Sequence, residues 1–381
     1  MRILLMLVSF LAVIVVYVSM NYYIAKRLFR WVKFVAPAVN GKVFASLYSL
    51  LALMMFVAFM PLPKGLDSIV NWISAYWMGV FVYLLLFFII VDVLLVILVI
   101  TKLVAKPISQ RTHFIAGSVA VVLTVIVVGY GIYNATKIRH VTYEVETNAE
   151  KNKEQMNIVL ISDLHLGAVK SESRIEEMVA GINKQKPDLV LLAGDIFNDD
   201  FNDIQDPERA IELFKSIDAT YGVYGSLGNH DGGTTLSKMV NFLAESNIQL
   251  LTDEYEIIDK RLVLIGRLDP SPIGGFGDWQ RSEINHLFEE FDEKLPVVVI
   301  DHTPSNLEQY GKEIDLIVSG HTHHGQMFPG SLFTDALFEV DYGKYQRDEN
   351  SPHVIVSSGV GTWGMPMRVG TYNEIVTIQL N

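Results

Sequence analysis

Five short motifs rich in aspartate and histidine follow one another in the second half of this 381-residue chain. In order, they are Asp163-Leu164-His165, Gly194-Asp195, Gly228-Asn229-His230-Asp231, Asp301-His302 and Gly320-His321-Thr322-His323. Imidazole suits zinc and iron, and carboxylate suits harder ions such as manganese. The sequence contains no cysteine, so nothing biases such a site toward softer metals. The motifs therefore predict a metal site with nitrogen and oxygen ligands.

Each motif follows an apolar, β-branched run that is typical of a buried strand. The five runs are 157–162, 189–193, 223–227, 297–300 and 314–319. In an α/β sheet, catalytic groups collect beyond the carboxyl ends of the strands. A single Asp or His after a strand is more often a loop or cap residue than a ligand, but the ordered set of five predicts one shared crevice.

The residue types fit the cleavage of a phosphate ester. Two divalent cations about 3.5–4 Å apart activate water and stabilise negative charge on the phosphoryl oxygens. A shared carboxylate is the simplest way to hold two cations that close. The sequence thus predicts a dinuclear site.

The five motifs, in this order, resemble those of the calcineurin-like metallophosphoesterases, and the resemblance extends from about Asn157 to the C-terminus. It implies an α/β (α+β) fold, a four-layer αββα sandwich in which helices flank two mixed sheets. Residues 359–371 also resemble a segment of bacterial membrane-anchored members similar to UDP-diacylglucosamine hydrolases. The implied activity is hydrolysis of a phosphodiester, phosphomonoester or pyrophosphate bond by metal-activated hydroxide. The implied cofactor is two divalent metal ions, with Mn, Fe and Zn all open.

The resemblance also implies which residues bind the metals. The ligands of one ion would be Asp163, His165 and His323. The ligands of the other would be Asn229, His302 and His321, with Asp195 bridging the two ions.

In the same family pattern, His230 is not a ligand but acts on the substrate. It protonates the leaving oxygen or stabilises the transition state, and Asp231 is placed to orient it. Two positions depart from the pattern: Asn198 stands where an acidic residue is usual, with Asp199 one residue later, and His324 stands where glycine is usual. His324 is either an extra phosphate contact or an exposed side chain, and we favour the exposed side chain.

The first 139 residues have a different character. Four apolar stretches, each long enough to cross a hydrocarbon core of about 30 Å as a helix, lie at 3–23, 43–60, 76–103 and 114–132. We therefore expect a transmembrane bundle of about four helices at 1–139, followed by the catalytic domain at 140–381. Asp92 lies within the third stretch, and the other three stretches contain no basic residue that could pair with it.

The loop charges predict an orientation. Basic residues between the first and second stretches are Lys26, Arg27, Arg30, Lys33 and Lys42, and those between the third and fourth are Lys102, Lys106 and Arg111. Because basic loops stay in the cytoplasm, the catalytic domain should be extracytoplasmic in a multi-pass cell membrane protein. Lys137 and Arg139, just after the last stretch, weigh against this orientation.

Charge also limits the substrates. Residues 1–140 carry 12 basic and 2 acidic side chains, whereas residues 141–381 carry 18 basic and 40 acidic ones. An acidic domain repels polyanions, so no nucleic acid polymer is expected. The predicted partners are the lipid bilayer and a phosphoester, either lipid-linked or a small nucleotide-type molecule. Apolar loop residues that could select it are Phe276, Trp279, Met327, Phe328, Trp363, Met365 and Met367.

The predicted function is therefore a membrane-anchored, dinuclear-metal phosphoesterase. Arg368 is expected either to contact a phosphate or to form a surface salt bridge. The alternative is a catalytically silent metal-binding membrane sensor or scaffold, which the intact His230-Asp231 pair disfavours. A transporter with an appended domain is disfavoured because the apolar stretches contain so few polar residues.

Overall fold

The computed structural model describes residues 2–147, 155–287 and 295–381. The chain divides into two units, Met1–Tyr130 and Gly131–Asn381. Four apolar helices lead the chain: α1 (Arg2–Val35), α2 (Gly41–Val57), α3 (Lys64–Ile100) and α4 (Gln110–Asn134). Three of them, all except the 17-residue α2, are long and apolar enough to cross a membrane. The expectation of an apolar helical segment before the catalytic domain is confirmed.

Inside the first unit, the prediction that Asp92 has no basic partner is wrong. Arg27 Nη2 lies 2.7 Å from Asp92 Oδ1, and the Tyr23 hydroxyl donates to Asp92 Oδ2 at 2.7 Å. The reason is that α1 extends to Val35, well beyond the apolar stretch, so that Arg27 lies on the helix. The carboxylate of α3 is therefore paired within the bundle.

The second unit is built from two sheets. Its strands within the described ranges are β1 (Ile138–Val145), β2 (Met156–Ile161), β3 (Leu189–Ala193), β4 (Val223–Ser226), β5 (Ile248–Leu250), β6 (Glu254–Ile258), β7 (Leu262–Gly266), β8 (Val297–Ile300), β9 (Leu316–Ser319), β10 (Gly343–Tyr345), β11 (His353–Val356) and β12 (Asn373–Leu380). Its helices are α5 (Ile175–Lys184), α6 (Pro207–Lys215), α7 (Leu236–Glu245) and α8 (Gly330–Leu337).

The sheet topology places the motifs. The strand order is β1-β12-β2-β3-β4-β5 in one sheet and β10-β11-β9-β8-β7-β6 in the other. Strands β2, β3 and β4 are mutually parallel, as are β8 and β9. Within each sheet, the strands that precede the motifs therefore end at the same edge. The predicted fold class, two mixed sheets with flanking helices, is confirmed.

The last strand of the chain lies inside the first sheet. Strand β12 is parallel to β1 and antiparallel to β2. This pairing joins the two ends of the catalytic unit. The local alternation of apolar and polar residues does not reveal which distant strand a given strand pairs with.

Packing on both faces of the first sheet holds the strand ends in place. Leu160, Leu191 and Val298 are fully buried in the apolar layer between the two sheets. On the outer face, the buried side chains of α5, α6 and α7 cover the sheet, among them Met178, Phe214 and Phe242. The metal motifs therefore extend from a rigid support.

Leu191→Ala should lower the free energy of unfolding by about 2–5 kcal/mol, because it leaves a cavity between the sheets. Leu213→Ala on α6, where the leucine is only half-buried, should cost clearly less. Thermal and denaturant unfolding of the purified chain measures both changes. Equal losses in the two variants would contradict a continuous inter-sheet core.

Candidate metal centre

Six of the seven expected ligands lie in two groups whose donor atoms are within 4.8 Å of one another. The first group consists of Asp163, His165 and His323, and the second consists of Asp195, His302 and His321. The seventh residue, Asn229, adjoins the second group because its Oδ1 is 2.8 Å from His321 Nδ1. The folded chain thus brings together all the residues that the motifs single out as ligands.

Asp195 lies between the two groups. Its Oδ2 is 3.1 Å from His302 Nε2 and 3.8 Å from His165 Nε2. Its Oδ1 accepts a hydrogen bond from the backbone N–H of His230 at 2.8 Å. A carboxylate that faces both groups could bridge two cations.

The donor atoms fit cations. His302 Nδ1 donates to the Ala193 carbonyl at 2.7 Å, which turns the buried Nε2 toward Asp195 Oδ2, 3.1 Å away. Fixing one ring nitrogen in this way is how proteins orient a histidine ligand. The Nε2 atoms of His165 and His323 lie only 3.1 Å apart. Convergence of so many nitrogen and oxygen donors suits borderline divalent metals.

Burial and neighbouring charges together determine the protonation of this cluster. Burial raises the pKa of Asp163 to about 6 and lowers the pKa of both His165 and His321 to about 4. Burial also opposes ionisation of Asp195, but the neighbouring His302 outweighs it and the pKa of Asp195 falls well below its ordinary value. Neutral His165 and His321 and an ionised Asp195 are the forms that bind a cation.

Three glycines allow the motifs to approach so closely. A Cβ on Gly228 would lie 2.3 Å from the Asp195 nitrogen, and one on Gly320 would lie 2.4 Å from Asp163 Oδ2. Gly194 has φ +70° and would also collide with Gly228. Any side chain at these positions would push the ligands apart.

His230 belongs to neither group. Its ring lies 5.2 Å from that of His165, centroid to centroid, and its Nδ1 is 2.8 Å from Asp199 Oδ1. Burial lowers the pKa of His230, but the hydrogen bond to Asp199 and the nearby acidic charges outweigh burial and raise it. A raised pKa favours the protonated imidazole, which is the form that a general acid requires.

The expectation that Asp231 orients His230 is wrong. The buried carboxylate of Asp231 accepts from the backbone N–H groups of Phe197 and Gly228, both at 2.7 Å. Asp199 takes the orienting position instead. It adopts φ +64° and donates its N–H to the His230 carbonyl at 3.1 Å, which accommodates the one-residue displacement in the second motif.

The structure also adds an arginine, Arg281, that sequence reasoning did not place. Arg281 pairs with both oxygens of Asp301, at 2.9 and 2.7 Å, and the Tyr310 hydroxyl donates to the same carboxylate. Asp301 is therefore neutralised by Arg281 and supports the loop of His302. Arg281 lies in a loop 20 residues earlier, so no local signal reveals it.

Arg368 neither faces solvent nor extends toward a substrate, so both sequence-based expectations for it are wrong. It is fully buried, its Nη1 donates to the His323 carbonyl at 2.9 Å, and its Nη2 donates to the carbonyls of Ser358 and Gly361 at 2.7 and 2.6 Å. Burial lowers its pKa to about 9, which leaves it charged at neutral pH. Its role is to fix the backbone of His323.

The apolar loop residues differ in their exposure. Phe276, Met327 and Met367 are buried, Met365 is half-buried, and Trp279, Phe328 and Trp363 are exposed by 40%, 47% and 49%. The Trp363 ring lies 5.9 Å from that of His230. His324 stacks on Tyr342 with 4.5 Å between ring centroids. Trp363 is thus the apolar side chain next to the histidine that is expected to act on the substrate.

Known proteins resemble this chain as follows. A family model described as calcineurin-like phosphoesterase matches residues 156–325. An uncharacterized metallophosphoesterase of Campylobacter jejuni is 27% identical over 266 residues, which cover 68% of each chain. A transmembrane protein with metallophosphoesterase domain of Danio rerio is 28% identical over 301 residues, or 73% of this chain and 67% of that protein. A solved dimetal phosphatase of Danio rerio has 13% identity and a TM-score of 0.31 over 54% of this chain and 87% of that chain. With its paired Asp and His groups and its family match, this chain contains a calcineurin-like phosphoesterase domain at residues 156–325 and is a metal-dependent hydrolase.

Proposed function

We propose that this protein is a membrane-anchored phosphoesterase that uses two divalent cations and His230 to hydrolyse a lipid-borne phosphoester. One observation carries the proposal. His230 is tied through its backbone to Asp195, between the two ligand groups, at 2.8 Å, while its ring is hydrogen-bonded to Asp199 at 2.8 Å. A proton donor is therefore fixed beside the place where the cations would hold a phosphoryl group.

Each residue has a separable task in the reaction. When bound, the two cations neutralise the phosphoryl oxygens and lower the pKa of water. Water attacks phosphorus and loses a proton to solvent, the bond from phosphorus to the leaving oxygen breaks, and His230 gives that oxygen a proton that it later regains from solvent. Asp199 occupies Nδ1 of His230 and so leaves Nε2 for the substrate. The Trp363 ring provides an apolar surface next to His230.

Three observations support a lipid-borne substrate. The catalytic region, residues 141–381, carries 40 acidic and 18 basic side chains, which disfavours a polyanion. Half-exposed Trp363 lies beside His230. The chain also carries three helices suited to crossing a membrane, so that a substrate in the same bilayer would be present at high local concentration.

Asp195→Ala should remove both metals, because Asp195 faces both ligand groups. Metal analysis of the purified chain should give close to zero bound metal. Asp199→Ala is the matched control, since it changes an aspartate next to the site that faces neither group, and it should retain both metals. Two metals per chain in Asp195→Ala would exclude a bridging role.

His230→Ala should retain both metals and lose about 10²–10⁴ in turnover, the usual contribution of an acid–base group. Asp199→Asn should also lower turnover, but by a smaller factor, because it weakens the hydrogen bond that orients His230 and leaves His230 itself in place. Asp200→Asn, at the neighbouring carboxylate that caps Asn202 instead, should have near-normal turnover. Both losses should shrink for a nitrophenyl leaving group relative to an alkyl one. Equal losses for the two leaving groups would argue against proton donation.

We also propose that all four helices span the bilayer and that the catalytic domain lies outside. The 17 residues of α2 reach about 25 Å, which local thinning of the bilayer would accommodate. Because the chain has no native cysteine, Glu208→Cys on the exposed side of α6 reports without background. An impermeant maleimide should label it in intact cells stripped of their wall. Labelling only after the membrane is broken would reverse the orientation and leave the metal centre unaffected.

A further inference from the structure

Helix α8 exposes apolar side chains beside the metal centre. None of its eight residues is buried, yet Leu332, Phe333 and Leu337 are exposed by 60%, 67% and 79%, and Phe328 just before it is exposed by 47%. These four residues are called the α8 apolar face. Contiguous exposed apolar surface of this kind marks an interaction site.

The α8 apolar face is held firmly in place. Thr334 of α8 donates to Asp341 Oδ2 at 2.7 Å, and Thr322 donates to the Asp341 carbonyl at 2.6 Å. Immediately after the helix, the Phe338 ring lies 5.7 Å from the ring of His321. Although it buries no side chain, α8 is therefore anchored at its base to the loop that carries the histidine ligands.

The same neighbourhood contains the residues at which the chain leaves its last apolar helix. Residues 131–134 are the final turn of α4 and belong to the catalytic unit. The Arg368 N–H donates to the Gly131 carbonyl at 2.9 Å, and Asn134 Nδ2 donates to the Arg368 carbonyl at 3.0 Å. The next residue, Val369, accepts a hydrogen bond from the Phe328 N–H at 2.8 Å. The end of α4 and the beginning of the α8 apolar face therefore bind adjacent residues of one segment.

Side chains typical of a membrane interface follow the same turn. Lys137 Nζ lies 5.4 Å from the centre of the Tyr133 ring, and the Arg139 guanidinium lies 3.1 Å from the centre of the Tyr372 ring. Aromatic rings and basic groups are enriched together at the level of lipid headgroups. The residues that follow α4 therefore include the side-chain types that are found at headgroup level.

We propose that the α8 apolar face inserts into the bilayer that anchors the chain and so brings the metal centre to phosphoesters within that bilayer. The inference rests on the proposed membrane anchorage and lipid-borne substrate. Short helices with large apolar side chains bind membranes in this way, lying in the interface with their apolar face among the acyl chains. The headgroup phosphate would reach the metal centre while the acyl part stays among Leu332, Phe333 and Leu337.

Insertion of the α8 apolar face can be measured without an enzyme assay. The full chain carrying Leu337→Cys, labelled with an environment-sensitive fluorophore, is placed in phosphatidylcholine nanodiscs that contain doxyl-labelled lipid. Glu208→Cys on α6 is the matched control. The probe at 337 should be quenched by the doxyl lipid and protected from aqueous iodide, whereas the probe at 208 should show the reverse.

Two outcomes would overturn insertion. Equal iodide quenching at 337 and 208 would leave the α8 apolar face in water. Protection from iodide without doxyl quenching would show that a protein surface, either a second copy or another partner, covers it instead.

The second experiment compares two esters with the same leaving group, methyl 4-nitrophenyl phosphate in solution and hexadecyl 4-nitrophenyl phosphate in nanodiscs. The double variant Phe333→Ser/Leu337→Ser should lose about tenfold or more in kcat/KM for the hexadecyl ester, because two large apolar groups no longer enter the bilayer. It should hydrolyse the methyl ester normally. Equal losses on both esters, or none, would contradict delivery from the bilayer. Hydrolysis of neither ester by the wild-type chain would defeat the proposed phosphoesterase function, whereas the quenching result would still decide insertion.

Discussion

Burial of two carboxylates, Asp163 and Asp195, is the constraint on which the rest of the catalytic unit depends. A buried charge is costly unless it is paired and hydrogen-bonded. Backbone N–H groups supply part of the compensation, from His321 to Asp163 at 3.0 Å and from His230 to Asp195 at 2.8 Å. The Ser162 hydroxyl adds a hydrogen bond to Asp163. Every one of these donors lies in a loop at a strand end, so the two sheets must hold their register for the charges to remain stable.

The same requirement explains the unusual backbone of the motifs. Positive φ angles between 48° and 72° occur at five of the candidate ligands, namely Asp163, His165, Asp195, His321 and His323. Left-handed conformations of non-glycine residues each cost about 1–3 kcal/mol and persist only where the surrounding structure enforces them. Here the enforcement comes from β2, β3 and β9, whose residues are entirely buried apart from Asn157. The apolar core is therefore what sustains the polar geometry of the site.

Local sequence patterns predicted where the strands end and which residue types supply the ligand atoms, because both depend on residues that are close together in the chain. They did not predict contacts between distant segments. Asp231 was assigned to His230 from the family pattern, yet Asp199 makes the contact. Arg27 was placed outside the first apolar stretch, although the helix continues past it and pairs it with Asp92. Arg368 gave no signal of its burial, since a lone arginine in a loop is ordinarily exposed.

Arg368 contacts both the loop that carries the ligand His323 and the end of α4, the last apolar helix. Its guanidinium donates to the carbonyl of His323, while its own backbone N–H and carbonyl bond to Gly131 and Asn134 at the end of α4. Removing the side chain would leave several buried carbonyls without donors, each worth about 1–3 kcal/mol. A ligand loop and the turn that ends the last apolar helix thus bind the same buried residue, the loop through the guanidinium and the turn through the backbone. Because both bind Arg368, neither the ligand loop nor the final turn of α4 can shift without disturbing the hydrogen bonds of the other.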